Sequence, residues 1–183
     1  KVMVITPCGF GGATIDAQFA FDSAGNISGL VFRPAATPPS PLPPYARPDS
    51  YTETTISIGS GEWALPATLT MPTGTAPVAA VVLVHGSAPH DRHPTIGPNK
   101  PFRDLATGLG SRGIAVLRYD KRTQVHRAKI TTLKNYTVRD EVIDDVVSAV
   151  TTLREQPRID GRRIFVLGHS LGGTLIPRIA AAE

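Results

Sequence analysis

The sequence predicts a parallel α/β sheet that is entered through an antiparallel hairpin, carries helices on both faces, and is preceded by part of a small β-rich unit. Three features of the 183 residues predict it. Thr52 to Ile58 and Trp63 to Met71 alternate apolar with polar residues around Gly59-Ser60-Gly61, the signature of an antiparallel hairpin. Val78 to Val84 is apolar throughout, as a strand must be when helices cover both faces of its sheet, and Ile114 to Leu117 and Ile164 to Leu167 repeat that pattern. Between these runs lie two stretches of helical period, Pro101 to Arg112 and Val138 to Glu155. Strand and helix therefore alternate in the order that a parallel sheet with right-handed crossovers needs.

Ahead of the hairpin, Val2 to Thr6, Ile15 to Phe21 and Ile27 to Phe32 read as strands, the last two joined by the turn Ser23-Ala24-Gly25-Asn26. Residues 1–34 are expected to be the C-terminal part of a small β-rich domain. The chain opens at Lys1 as if in mid-strand, so residues ahead of it are expected and the compartment stays open. Pro34 to Pro48 holds seven of the 17 prolines, a density that opposes helix and sheet ladder alike, and residues 35–50 read as an extended connector. The main domain is expected over 51–183. In its second helix Thr137 is placed to cap the first turn with Asp140 three residues on. Val138, Val142, Val146, Val150 and Leu153 then share one face, and Pro157 marks the end.

Composition narrows the function classes. The chain is 41% hydrophobic and 19% charged, the balance of a sequence able to bury a core. Its net charge of +4 comes from basic residues dispersed along the chain, so no basic stripe suggests a nucleic-acid partner. No apolar run approaches the roughly 18 residues of a membrane-spanning helix, and no membrane partner is expected. The single cysteine, Cys8, excludes an internal disulfide and a thiolate metal cluster within the chain, and reads as a small core residue.

The chemistry concentrates at Ile164-Phe-Val-Leu-Gly-His-Ser-Leu-Gly-Gly173, where an apolar strand ends in Gly168-His169-Ser170-Leu171-Gly172 and a helix begins at once. This is G-x-S-x-G in the strand-turn-helix setting of a nucleophile elbow. A serine on so sharp a turn needs small neighbours at both flanking positions, because a side chain there would clash, and its hydroxyl projects above the sheet. The helix that follows aims unpaired N–H groups and the positive end of its dipole at a developing oxyanion. Ser170 is the expected nucleophile, the Leu171 N–H the first oxyanion donor, and the Ser87 N–H the second. Ser87 is assigned from His85-Gly86-Ser87, which follows directly on the apolar strand ending at Val84.

At these residues the chain resembles the α/β-hydrolase-fold esterases that carry a DUF3887-type domain ahead of the hydrolase core, relatives of the serine aminopeptidase and prolyl-peptidase-like hydrolases. The resemblance rests on Gly-Glu-Trp-Ala-Leu-Pro at 61–66, Val-His-Gly-Ser at 84–87 and Thr-Ile-Gly-Pro-Asn-Lys-Pro-Phe at 95–102. Leu-Arg-Tyr-Asp-Lys-Arg-Thr at 117–123 and the elbow complete it. It implies the N-terminal half of an α/β-hydrolase, with residues 1–34 as the end of the DUF3887-like domain. It also implies ester hydrolysis on a small-molecule substrate through an acyl-enzyme, by a Ser-Asp-His triad with no metal and no organic cofactor. In this fold the acid and histidine follow the serine in the chain, yet His85, His90, His93, His126 and His169 all precede Ser170 and 13 residues remain after it. The triad Asp and His are therefore expected outside this chain, and the segment alone is expected to be nearly inert and to associate through the open, apolar edge of the strand before the elbow, with its own downstream segment or as a homodimer. A serine peptidase and a non-catalytic binding module stay open as alternatives.

Three other motifs are set aside. Gly108-Leu-Gly-Ser-Arg-Gly113 fits G-x-G-x-x-G but closes a helix instead of opening one, and so reads as a helix C-cap. His90-Asp91-Arg92-His93 lacks a third placed ligand and reads as a solvated loop. Lys121-Arg122 reads as structural, pairing with Asp140, Glu141 or Asp144, ahead of the alternative that it binds an anionic substrate group.

Overall fold

Apolar residues on both faces place Val78–Val84 (β6) in the interior of a sheet, and the computed structural model puts it there, between two neighbouring strands. The described residues are 2–35 and 40–182. They fall into two units, Lys1–Ser40 with Ile96–Asn99, and Pro41–Thr95 with Lys100–Glu183.

The first unit is a three-stranded antiparallel sheet in the order β1 (Val2–Phe10), β2 (Ala13–Phe21), β3 (Ile27–Pro34). The turn after β2 forms as its sequence foretells: the Asp22 carboxylate accepts from the N–H groups of Ala24 and Asn26, both at 2.9 Å. The strands of the first hairpin run longer than expected, through to Gly11-Gly12, whose positive φ values of 47° and 101° close it. Cys8 corrects the reading of a core residue. It is only half-buried, and its thiol donates to the Thr6 carbonyl.

The second unit begins at Pro41, so the later part of the proline-rich stretch is built into it, while residues 36–39 of that stretch lie outside the described residues. The Arg47 N–H donates to the Ser111 hydroxyl at 2.7 Å, and a short 3-10 turn, Pro48–Ser50, leads into the first strand of the sheet. That sheet has the order β4 (Tyr51–Ile58), β5 (Leu65–Pro72), β7 (Ala115–Tyr119), β6, β8 (Ile159–Gly168). The hairpin β4–β5 and the pair β5–β7 are antiparallel, whereas β6 runs parallel to both β7 and β8. The expected entry through an antiparallel hairpin is thus present.

Helices cover both faces, and the pleat decides which residue meets which helix. Val81, Leu83 and Val116 face Phe102 and Ala106 of α1 (Pro101–Gly110). Ala80, Val82, Val84 and Leu117 face the opposite way, into the larger core with Val146, Val150 and Leu153 of α4 (Asp144–Arg154) and Leu175 and Ile179 of α5 (Leu171–Ala180). Two short helices, α2 (Arg122–Val125) and α3 (Arg127–Ile130), follow β7. The expected start of the long helix forms, with the Thr137 hydroxyl donating to Asp140 and accepting from the Arg139 N–H at 3.2 Å. Its first turn is wider than expected, a π-helical turn over Arg139–Ile143 that precedes α4.

The open, apolar edge expected of the strand before the elbow is there: β8 is the edge of the sheet among the described residues, with Phe165 57% and Leu167 39% exposed, so its apolar run is not covered on both faces as that of β6 is. The Gly108–Gly113 motif does close α1, with Gly113 at φ 82° and its N–H on the Gly110 carbonyl.

Candidate active site

The carboxyl ends of β7, β6 and β8 lie side by side, which brings three loops together: Asp120-Lys121, His85-Gly86-Ser87 and His169-Ser170. This is where open α/β sheets place their ligands.

Ser170 leaves β8 in a conformation that residues with a side chain rarely adopt, φ 51° and ψ −117°, and α5 starts at the next residue. Such a strained single residue is held only where its surroundings over-determine it. Here the surroundings are backbone. The His169 N–H donates to the Val84 carbonyl at 2.9 Å and the Gly172 N–H to the His85 carbonyl at 3.1 Å, stitching the turn to the end of β6. The two flanking glycines are required sterically. A methyl group on Gly168 would stand 2.3 Å from the Gly172 carbonyl carbon, and one on Gly172 would stand 2.6 Å from the His85 oxygen. Gly86 packs against the turn from the other side: a Cβ there would meet the Ser170 Cβ and the His169 ring at 3.1 Å. Ser170 itself is exposed.

Ser87 and Leu171, the two expected donors, flank this contact. Among the described residues no acceptor takes the backbone N–H of either. The loop that carries Ser87 is fixed from several directions. The Gly86 carbonyl accepts from Lys121 Nζ at 2.8 Å, and the Ser87 carbonyl accepts from His90 Nε2 at 2.6 Å. His85 is buried against Phe102 and Tyr119, and its Nε2 donates to the Asp91 carbonyl at 3.1 Å. Burial drives its pKa down to about 3.

His90-Asp91-Arg92-His93 is occupied by structural bonds. Asp91 accepts from the N–H groups of His93 and Thr95 and from the Thr95 hydroxyl. Arg92 grips Asp120 through Nε at 3.0 Å and Nη2 at 2.8 Å. His93 is half-buried with its pKa driven down to about 4, chiefly by burial. His126 donates to the Ala64 carbonyl at 3.1 Å, its ring edge-on to Trp63. Among the described residues the histidine ring hydrogen bonds go to the backbone carbonyls of Asp91, Ser87 and Ala64, and none goes to the Ser170 hydroxyl.

Lys121 and Arg122 form pairs within the fold. Lys121 meets Glu141, one of the partners expected from the sequence, whereas Arg122 meets Asp145, which the sequence reading did not name. Burial lifts the Asp145 carboxyl above its ordinary range, against the opposing hydrogen bonds of Arg122. The bond from Lys121 to Gly86 was also missed. Its only signal was a lysine next to the end of a buried strand, and nothing in the local sequence says which carbonyl such a side chain reaches.

A family model described as the alpha/beta hydrolase family matches residues 81–182. Esterase EstD of Thermotoga maritima is 48% identical over 166 residues, which is 91% of this chain and 38% of EstD, so the chain spans about two-fifths of that curated relative. Among solved structures, the dienelactone hydrolase of Anabaena variabilis superposes with a TM-score of 0.55 at 23% identity, over 73% of this chain and 59% of that one. Brefeldin A esterase, a bacterial homologue of human hormone-sensitive lipase, gives 0.54 at 20% identity over 80% and 38%. At these identities the two structures speak for the fold alone.

Proposed function

We propose that this chain, which belongs to the alpha/beta hydrolase family, supplies the nucleophile and the oxyanion-binding loops of a serine carboxylesterase. One observation carries the reading: Ser170 is held at φ 51° between two glycines that tolerate no methyl group, at the junction of β8 and α5. The substrate acyl carbonyl sits between the Ser170 hydroxyl and the N–H groups of Leu171 and Ser87. Attack of the serine oxygen gives a tetrahedral oxyanion that these donors stabilise, the alcohol leaves, and water releases the acid from the acyl-enzyme. Likeness to an esterase at 48% identity favours an ester substrate, and residues 1–34 are read as the end of a DUF3887-like domain.

The general base and its acid are read as lying outside these residues: His85, His90 and His126 are committed to backbone carbonyls, His93 is depressed by burial, and His169, exposed beside the serine, makes no hydrogen bond to its hydroxyl among the described residues. The exposed edge of β8, with Phe165 and Leu167, is then the surface on which the remainder of the fold, or a second copy, would pack.

The test uses the full-length protein, a fluorophosphonate probe, and a panel of p-nitrophenyl esters and aminoacyl amides. The reading expects label on Ser170, ester turnover well above amide turnover, and a loss of about 10⁴-fold or more in kcat for Ser170→Ala with an unchanged Tm. Ester turnover that survives Ser170→Ala would sink it. Amide turnover above ester turnover would move the assignment to a peptidase.

A further inference from the structure

We propose that Lys121 is a positioning residue of the oxyanion hole, which sets the direction of the Ser87 N–H by holding the carbonyl on the other side of the same peptide bond. The inference rests on the reading of Ser87 as an oxyanion donor and deepens it.

Lys121 follows β7, its side chain is 2% exposed, and its Nζ donates to the Gly86 carbonyl at 2.8 Å. That carbonyl belongs to the Gly86–Ser87 peptide. No peptide bond of the described chain is cis, and in a planar trans peptide the C=O and N–H point in opposite directions. Fixing the Gly86 oxygen on Nζ therefore turns the Ser87 N–H away from Lys121. The strand order does the rest. β6 lies between β7, which delivers Lys121, and β8, which delivers Ser170, and Gly86 closes against the Ser170 Cβ from that second side.

The burial of Lys121 is otherwise costly. An amine taken out of water needs partners, and a buried ion pair replaced whole by apolar residues is often neutral or stabilising. Here Glu141, carried on the π-helical turn that precedes α4, supplies a partner 21% exposed. The Lys121 N–H also donates to the His90 carbonyl at 3.0 Å, so one residue fastens the loop between Gly86 and His90 at both ends. An oxyanion hole stabilises charge only if its donors are aimed beforehand. A glycine peptide, with no side chain of its own to pack, is easily rotated out of that aim.

The experiment compares Lys121→Met, Lys121→Arg and Glu141→Gln with the wild type in the full-length protein. It reads Tm, KM, kcat and the affinity for a trifluoromethyl ketone, whose hemiketal with serine carries the oxyanion charge. Losing one oxyanion donor costs about 10²- to 10³-fold in kcat, and misaiming one should cost about 10- to 100-fold. Lys121→Met is expected to lose that much in kcat, to lose ketone affinity in parallel, and to change KM less than about threefold. Lys121→Arg should recover part of both, and Glu141→Gln, which leaves the bond to Gly86 in place, should lose less than Lys121→Met.

Wild-type kcat and ketone affinity in folded Lys121→Met would overturn the proposal. So would equal losses in Lys121→Met and Glu141→Gln, which would mean that only the ion pair matters. If Lys121→Met does not fold, Lys121→Gln, too short to reach the Gly86 oxygen, stands in with the same expectations. A wild type that neither binds the ketone nor labels at Ser170 overturns the oxyanion reading and this proposal together, whereas a wild type that does both isolates any failure to Lys121.

Discussion

The two halves of the candidate oxyanion site are built in different ways. The turn at Gly168–Gly172 is dictated by its own backbone: the strained Ser170, two glycines in steric contact with carbonyls, and N–H bonds to the end of β6. The loop at Gly86–Ser87 is held by side chains that arrive from elsewhere, Lys121 after β7 and His90 from further along the same loop. The first half has no freedom to lose, so small changes should break it outright. The second is a set of tethers, and each should be separable from the others.

The largest effect expected is at Gly172. An added methyl group would stand 2.6 Å from the His85 oxygen and 2.7 Å from the Val84 oxygen, both backbone atoms of β6 and its exit that cannot step aside. Gly172→Ala should destabilise by about 3 kcal/mol or more and abolish labelling of Ser170, measured by urea denaturation and fluorophosphonate incorporation. Gly161→Ala, whose methyl meets nothing nearer than the Arg154 Cγ at 3.9 Å, is the control and should stay within about 0.5 kcal/mol. If the two variants behave alike, the turn is not sterically closed and the contrast between the two halves disappears.

That contrast also marks how far the sequence could be read. The elbow was legible because its rule is local: five residues, a strand before and a helix after, all within one stretch of chain. The hairpin β4–β5, the apolar β6 and the capped start of the long helix were legible for the same reason. The apolar run at Ile164 to Leu167 is by itself the same whether a strand lies at the centre of a sheet or at its edge; the open edge at β8 was expected from its place just before the elbow, and the pairing agrees. The choice of Asp145 over Asp140 or Asp144 as partner of Arg122 was not legible, since it depends on which face of a helix meets α2, a long-range matter. Lys121 belongs to this second group. Its side chain crosses from the end of one strand to the loop after its neighbour, and the sequence separation from Gly86 gives no hint of the contact.

A weaker effect should appear under acid. His85 is buried, and because its Nε2 donates to a carbonyl, its Nδ1 is left without a hydrogen-bond partner among the described residues. A second proton would place a buried, unpaired N–H there, in keeping with the pKa of about 3 that burial produces. Between that value and the ordinary histidine value of about 6.5 the unfolded chain binds a proton that the folded chain refuses. The histidine's contribution to stability is therefore complete above about pH 6.5 and is lost as the pH falls toward 3. His85→Gln, whose amide can still donate to the Asp91 carbonyl, should reduce the slope of stability against pH in that window by up to about 1.4 kcal/mol per pH unit. Denaturant titrations at pH 7, 6, 5 and 4 measure it, and parallel curves for the two proteins would show that His85 is not held neutral.

The smallest effect expected is at His90, and it separates the tethers from one another. Its ring stacks on His85 with centroids 6.1 Å apart and planes 9° from parallel, and its Nε2 donates to the Ser87 carbonyl. The carbonyl it holds belongs to the Ser87–Ala88 peptide, one bond beyond the peptide that carries the Ser87 N–H. Ala88 follows with φ 71°, so this end of the loop is strained and needs some restraint. His90→Phe keeps a flat ring for the stack and removes only the hydrogen bond. It should lower stability by about 1 kcal/mol or less and kcat by less than about fivefold, well short of Lys121→Met. A loss in kcat equal to that of Lys121→Met would mean that the loop moves as one body and that the aim of the Ser87 N–H is not governed by Lys121 in particular. An unchanged kcat with a small fall in Tm is the outcome that assigns the aim to Lys121 and to His90 only the shape of the loop behind it.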